Sequence, residues 1–158
     1  MKLRAIVVEK AIIPRLAAGT RDEAIAELLD AIVAAGAIDA GLRDEYLKAV
    51  IKREKRGSTG VGQGVAIPHV KAPGLASLAV AVGVSDPGLD FNALDRQPVH
   101  LVFLVLSPEE RPEEHLDAMQ VIFTTLGQPQ FRRFLRQATS IADVVTLLEE
   151  ADASHPVR

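Results

Sequence analysis

The chain has 158 residues, a length that suits one domain with a full core, and its 48% apolar but only 4% aromatic content requires that core to be built from Leu, Val, Ile and Ala. A net charge of −3 and a pI near 5.8 argue against a nucleic-acid binder, and the absence of cysteine excludes disulfides and thiolate metal sites. No apolar run approaches the roughly 20 residues of a membrane span, and no signal-peptide pattern opens the chain, so the default location is the cytoplasm.

Leu3 to Val8 is compatible with a short strand or a helix, and Pro14 breaks any helix through Ile12 and Ile13. Thr20 followed by Glu23 is a capping-box pattern. Ala24, Ile25, Leu28, Leu29, Ile32 and Val33 then recur at helical spacing until Gly36, a C′ residue. A second helix is predicted from about Arg43 to Arg56, with Tyr46, Leu47, Val50 and Ile51 on its buried face and Gly57 as its stop. The cations Lys52, Arg53, Lys55 and Arg56 complement the negative end of its dipole, which by itself requires no function.

Gly57 to Gly64 contains four glycines in eight residues. It is not a Walker A loop, because Gln63 follows Gly62 where a lysine is needed, and it lacks the dinucleotide fingerprint. The glycines instead suit a tight path that brings backbone amides to an anion, with Thr59 a candidate donor to it. Val65-Ala66-Ile67 reads as the end of a buried strand. Pro68 restricts Ile67 to extended conformations and delivers His69 on a stiff backbone. An imidazole so held is either a reactive group or a plain strand cap in a turn.

Beyond His69, Lys71 to Gly74 is predicted as a turn and Leu78 to Val84 as a strand of small apolar residues. Asp86-Pro87-Gly88 is a turn by composition, and Asp90 to Gln97 an irregular loop. Val99 to Leu106 suits a central strand covered on both faces; His100 within it is assigned a structural hydrogen bond beside the sheet. Pro112 opens the next helix, Glu113 and Glu114 favour its N-terminus, and His115 falls near its exposed N–H groups. Leu116, Met119, Ile122, Phe123 and Leu126 form the expected buried face, ended by Gly127 and Pro129. Gln130 to Gln137 is a shorter helix with Phe131, Phe134 and Leu135 on one side and Arg132, Arg133 and Arg136 outside. Ser140 with Asp143 caps a last helix through Glu150, and the tail from Asp152, including His155, is expected to fray. The whole reads as α/β: a single domain, residues 1–158 with a core of about 11–150, with a central mixed β-sheet flanked by helices on both faces.

The segment from Arg53 through Gly57-Ser58-Thr59-Gly60-Val61-Gly62-Gln63-Gly64 to Ile67-Pro68-His69 closely resembles the signature of type-2 enzyme IIA domains. These form the fructose, mannitol and nitrogen-regulatory class of the phosphoenolpyruvate-dependent phosphotransferase system. The likeness continues in Gly88 to Asp95, Pro98 to Leu104 and Glu114-His115-Leu116, and it covers the chain from about Ala11 to Glu150. It implies the same α/β architecture and a phosphocarrier in which His69 accepts a phosphoryl group on Nε2. It also implies that Arg53, 16 residues earlier, braces the phosphoryl oxygens and that His115 donates a hydrogen bond to them. The family often places glycine directly after the active histidine; here Val70 stands there.

The implied donor is the small histidine phosphocarrier protein HPr or a relative, and the onward partner is a IIB domain or a regulatory target protein. No metal or nucleotide cofactor is required if the donor is itself a phosphoprotein. The absence of an attached IIB or membrane IIC segment favours a stand-alone nitrogen-regulatory type over a sugar-specific fructose or mannitol component. Two readings from other classes compete: a binding module that is never phosphorylated, and a metal hydrolase using His69 and His115. A binding surface needs none of Arg53, His69 and His115, and no carboxylate or third histidine stands at ligand spacing from the two histidines.

Overall fold

The computed structural model describes residues 1–154. Its elements follow in the order α1 (Leu3–Ile6), β1 (Val7–Ile13), α2 (Arg21–Ala34), a 3₁₀ turn (Ala40–Leu42), α3 (Arg43–Arg56), β2 (Gly60–Gly62), β3 (Val65–Ala66), β4 (His69–Ala72), β5 (Ala79–Leu89), β6 (Val99–Pro108), α4 (Pro112–Leu126), α5 (Pro129–Gln137) and α6 (Ile141–Ser154). The strands form one mixed sheet in the order β1-β5-β6-β3-β2, with β4 also paired to β6. β1 runs parallel to β5, β5 antiparallel to β6, and β3 and β4 parallel to β6.

β6 is the hub because its residues are apolar on both sides. Val102, Leu104 and Leu106 point into a core shared with α2 and α3, while Leu101, Phe103 and Val105 point into a second core with α1, α4, α5 and α6. The α/β layering expected from the sequence is therefore observed, with helices on both faces. Helix α2 starts where the capping box predicts: the Glu23 N–H donates to the Thr20 hydroxyl at 3.2 Å, and that hydroxyl donates to the Glu23 carboxylate at 3.0 Å. It ends at Gly36 with φ of 79°.

β3 and β4 are two pieces of one extended path. Ala66 faces Val102 and His69 faces Val105, so the register does not slip across Ile67 and Pro68. Pro68 has no N–H for the ladder but its carbonyl accepts from Val105 at 2.9 Å, so the path stays attached to β6. His69 is therefore the first residue of a strand, and the turn predicted from Lys71 is delayed past Ala72.

Several other expectations are corrected. The ambiguous Leu3 to Val8 is one turn of helix passing into β1. Asp86-Pro87-Gly88 does not end β5; the strand runs through it to Leu89 with a shift of register between Val84 and Leu89. Gly88, at φ of 90°, is required there, because a Cβ would lie 2.7 Å from the Cβ of Pro98. The C-terminal tail does not fray at Asp152: α6 continues to Ser154, and the Asp152 carboxylate accepts the N–H groups of Leu3 and Arg4 at 2.8 and 2.9 Å. His155 lies outside the described residues.

The buried face of α4 is also shifted. His115, Ala118, Ile122, Thr125 and Leu126 face the core, whereas Leu116 is 67% and Phe123 45% exposed. On α5, Phe131 and Leu135 are buried, but Phe134 is exposed, with the Arg133 guanidinium 5.2 Å from its ring centre.

Candidate functional site

His69 and Ile67 both lie on the α4 side of the sheet, Ile67 buried in the core and His69 half-buried at its edge. The imidazole Nδ1 is 2.7 Å from the Ile67 carbonyl oxygen. A carbonyl can only accept, so Nδ1 carries the proton and Nε2 carries the free lone pair. Burial holds the pKa of His69 below 6.5, with Arg53 adding to the effect, while the Ile67 hydrogen bond and Glu54 oppose it. The ring is thus biased towards its neutral, nucleophilic form at neutral pH.

The start of α4 brings His115 beside it. The two ring centres are 5.5 Å apart with planes tilted by 47°. His115 is only 9% exposed, and its Nδ1 lies 2.7 Å from the hydroxyl of Ser107, itself wholly buried on β6. Burial lowers the pKa of His115 as well, reinforced by His69 and Lys71. The inward turn of His115 explains the shifted face of α4. With His115 and Ala118 against the sheet, Leu116 is left outside.

Arg53 stands on the last turn of α3, across the edge from β4. One of its Nη groups donates to the Gly57 carbonyl at 2.8 Å, and its charge is felt at His69. The structure therefore sets His69 and His115 side by side, with Arg53 near enough for its charge to disfavour the charged form of His69. Thr59 is placed differently from the sequence expectation: it is 5% exposed, and its hydroxyl proton goes to the carboxylate of Glu54, which also accepts the Thr59 N–H at 3.2 Å. The hydroxyl is engaged inside the protein, with no proton left to offer an anion. His100 has the structural bond expected of it, Nδ1 donating to the Ser85 carbonyl at 2.9 Å.

Three neighbours escaped the sequence reading. Glu54 follows Tyr46 and Val50 at four-residue steps, so it falls on the buried face of α3, a spacing that could have flagged it. Ser107 ends an apolar strand, and only the fold shows that it meets His115. Lys71 lies two residues beyond His69 on β4, near enough for its charge to act on His115. Among the described residues, no three His, Cys, Asp or Glu side chains converge as a metal site, and no helix is long and apolar enough to cross a membrane.

Residues 5–151 match the family described as phosphoenolpyruvate-dependent sugar phosphotransferase system, EIIA 2. The chain belongs to this type-2 enzyme IIA family. Its sequence is 31% identical over 152 residues to the fructose-specific EIIABC component of Bacillus subtilis; the match takes in 96% of this chain but 24% of that longer protein. It is 34% identical over 150 residues to the nitrogen regulatory protein of Bradyrhizobium diazoefficiens, covering 94% of this chain and 95% of that protein. The crystal structure of the nitrogen regulatory protein IIA-Ntr from Neisseria meningitidis superposes with a TM-score of 0.82 at 28% identity, over 92% of this chain and 97% of that one. Both the sugar-specific and the nitrogen-regulatory branches of the IIA family are thus among its relatives.

Proposed function

We propose that this IIA domain is a phosphocarrier in which Nε2 of His69 accepts a phosphoryl group from a phosphohistidine on an HPr-like protein and later passes it on. The observation that carries this reading is the 2.7 Å bond from Nδ1–H of His69 to the Ile67 carbonyl, which leaves Nε2 as the nucleophile. In the step, the Nε2–P bond forms as the donor's N–P bond breaks, and the donor imidazole leaves with the electron pair. The acceptor ring keeps its Nδ1 proton throughout, so no proton transfer is required. As the phosphorylated ring gains positive character, the bond to Ile67 strengthens.

The surrounding groups stabilise the transferring PO₃. Arg53 braces its oxygens, and Lys71 adds positive field. In this reading the Ser107 hydroxyl donates to Nδ1 of His115, so that the His115 proton sits on Nε2 and can bond a phosphoryl oxygen. Thr59 acts indirectly, by holding Glu54 in place. A phosphoryl-transfer site of this kind needs positioning and charge more than covalent chemistry from the protein.

The regulatory type is the branch we favour, supported by the superposition on IIA-Ntr; matches along most of a relative's length occur in both branches. Its partners would then be target proteins that distinguish the two phosphorylation states; in a sugar-specific component the partner would be a IIB domain.

The experiment is direct. Incubated with phosphoenolpyruvate, enzyme I and HPr, the protein should gain the mass of one acid-labile phosphate. The variant His69→Ala should gain none, and Arg53→Ala should be phosphorylated more slowly while remaining folded. A His69→Ala variant phosphorylated as well as the parent would refute the assignment, as would unchanged kinetics for the role of Arg53.

A further inference from the structure

Helix α4 connects the His69 site to a second concave region at its other end. Phe123 is eight residues beyond His115, so the two ends lie about 12 Å apart along the helix axis. There, two concavities of about 470 and 440 Å³ share Gln63, Pro129 and Arg132 and so form one trench. The first half is apolar, lined by Val61, Val65, Ile67, Phe123 and Leu126. The second is lined by Arg132, Arg133 and Arg136, with Ser85 and Asp86. Its three guanidiniums against one carboxylate leave a charge of +2 in a chain whose net charge is −3.

The positive charges of these arginines are not neutralised by a neighbouring carboxylate. Among the described residues none of the three arginines is in an ion pair, and α5 has no acidic residue to pair with them. Arg132 is held at the junction of the two halves, with Nη1 donating to the Leu126 carbonyl at 2.6 Å and Nη2 to Gln63 Oε1 at 3.5 Å. Gln63 is itself strained. It adopts φ of 60° at the corner between β2 and β3, a conformation glycine would take without cost, and its N–H is tied to Asp95 at 3.1 Å. The strain sets an amide at the point where the apolar and cationic halves meet.

We propose that this trench binds a small organic phosphate, with an apolar or aromatic body between β3 and α4 and the phosphate on the α5 arginines. Each half falls in the size range of small-molecule pockets, and guanidiniums are suited to paired hydrogen bonds with phosphate oxygens. A half-open concavity with an apolar floor fits one molecule better than a flat anionic surface. Neither His69 nor His115 lines it, although Ile67, whose carbonyl bonds His69, contributes to its apolar half.

The probe is 1-naphthyl phosphate, with inorganic phosphate and 1-naphthol as the head and the body alone. Followed by NMR, 1-naphthyl phosphate should shift the amide signals of Gln63, Ser85 and Phe123 and bind at least about tenfold more tightly than either fragment. The exposed substitutions Arg133→Ala and Arg136→Ala together should weaken it by about tenfold, and His69→Ala should leave it unchanged. Equal affinity for 1-naphthyl phosphate and inorganic phosphate overturns the proposal, as does the absence of any shift at millimolar probe. Tighter binding of an oligoglutamate peptide, or of phosphatidylglycerol vesicles, also overturns it, in favour of a protein or membrane contact.

Discussion

The two faces of the sheet are built from the same kinds of residues but packed to different ends. Beneath α2, Ala24, Ile25, Leu28, Leu29 and Ile32 are all wholly buried, apolar against apolar, with the helix ends closed by their own caps. Beneath α4, the buried stripe includes an imidazole bonded to a serine hydroxyl, while Leu116 and Phe123 remain outside. The first arrangement maximises apolar burial. The second gives up part of it to hold one polar side chain in a fixed position beside His69. The lesson is that the face under α2 is given over to apolar packing, whereas the face under α4 also holds an imidazole beside His69, with β6 common to both and Arg53 reaching the site from α3.

If that division holds, a cavity cut beneath α2 should lower stability and leave the chemistry in place. Leu28→Ala removes a wholly buried side chain, and the expected loss is about 2–5 kcal/mol in denaturant unfolding. Phosphate uptake by the fraction still folded should be unchanged. A Leu28→Ala protein that stays folded but no longer accepts phosphate would show that the two faces are coupled.

The reverse substitution sharpens the contrast. Ala118 is wholly buried where α4 meets the sheet, three residues after His115. Ala118→Leu should overpack this contact, costing about 1–3 kcal/mol, and should slow phosphoryl transfer by lifting His115 away from His69. Here one change should move stability and rate together. A rate equal to that of the parent would separate α4 packing from the site.

How far each face could be read from the sequence follows the same division. The face under α2 and α3 obeys local rules: a capping box, a C′ glycine and apolar residues at helical spacing, each acting within a few positions. The route to His69 was legible because Pro68 acts on its immediate neighbours. The orientation of α4 was not, because a histidine scores as a surface residue until Ser107, from a different element, supplies its partner. The same holds for Glu54, whose burial depends on the Thr59 hydroxyl and N–H. Asp152 belongs with them, since the N–H groups it accepts come from the opposite end of the chain. Long-range polar partners are what one-dimensional periodicity omits.

A milder test uses the side chain that was expected inside and is found outside. Leu116 is 67% exposed, so Leu116→Ser should change stability by no more than about 0.5 kcal/mol. Thermal unfolding would show it, and a loss several times larger would place Leu116 in the core after all.

The smallest expected effect is in the titration of the two imidazoles. Burial lowers both pKa values below 6.5, first through lost hydration and then through neighbouring cations. The folded protein therefore binds fewer protons than the unfolded chain just below that pH. The resulting stability is present above 6.5 and is lost as pH falls through the folded midpoints. NMR titration should place both midpoints below 6.5, and phosphate uptake should decline along the same acid limb, because protonation removes the lone pair on Nε2 of His69. Arg53→Gln removes one of the cations disfavouring the charged ring, so the midpoint of His69 should move upward while burial still holds it below the free value. A midpoint unmoved by this substitution would place the guanidinium too far from the ring to act on it, and with that the basis for giving Arg53 a part in the chemistry would be lost.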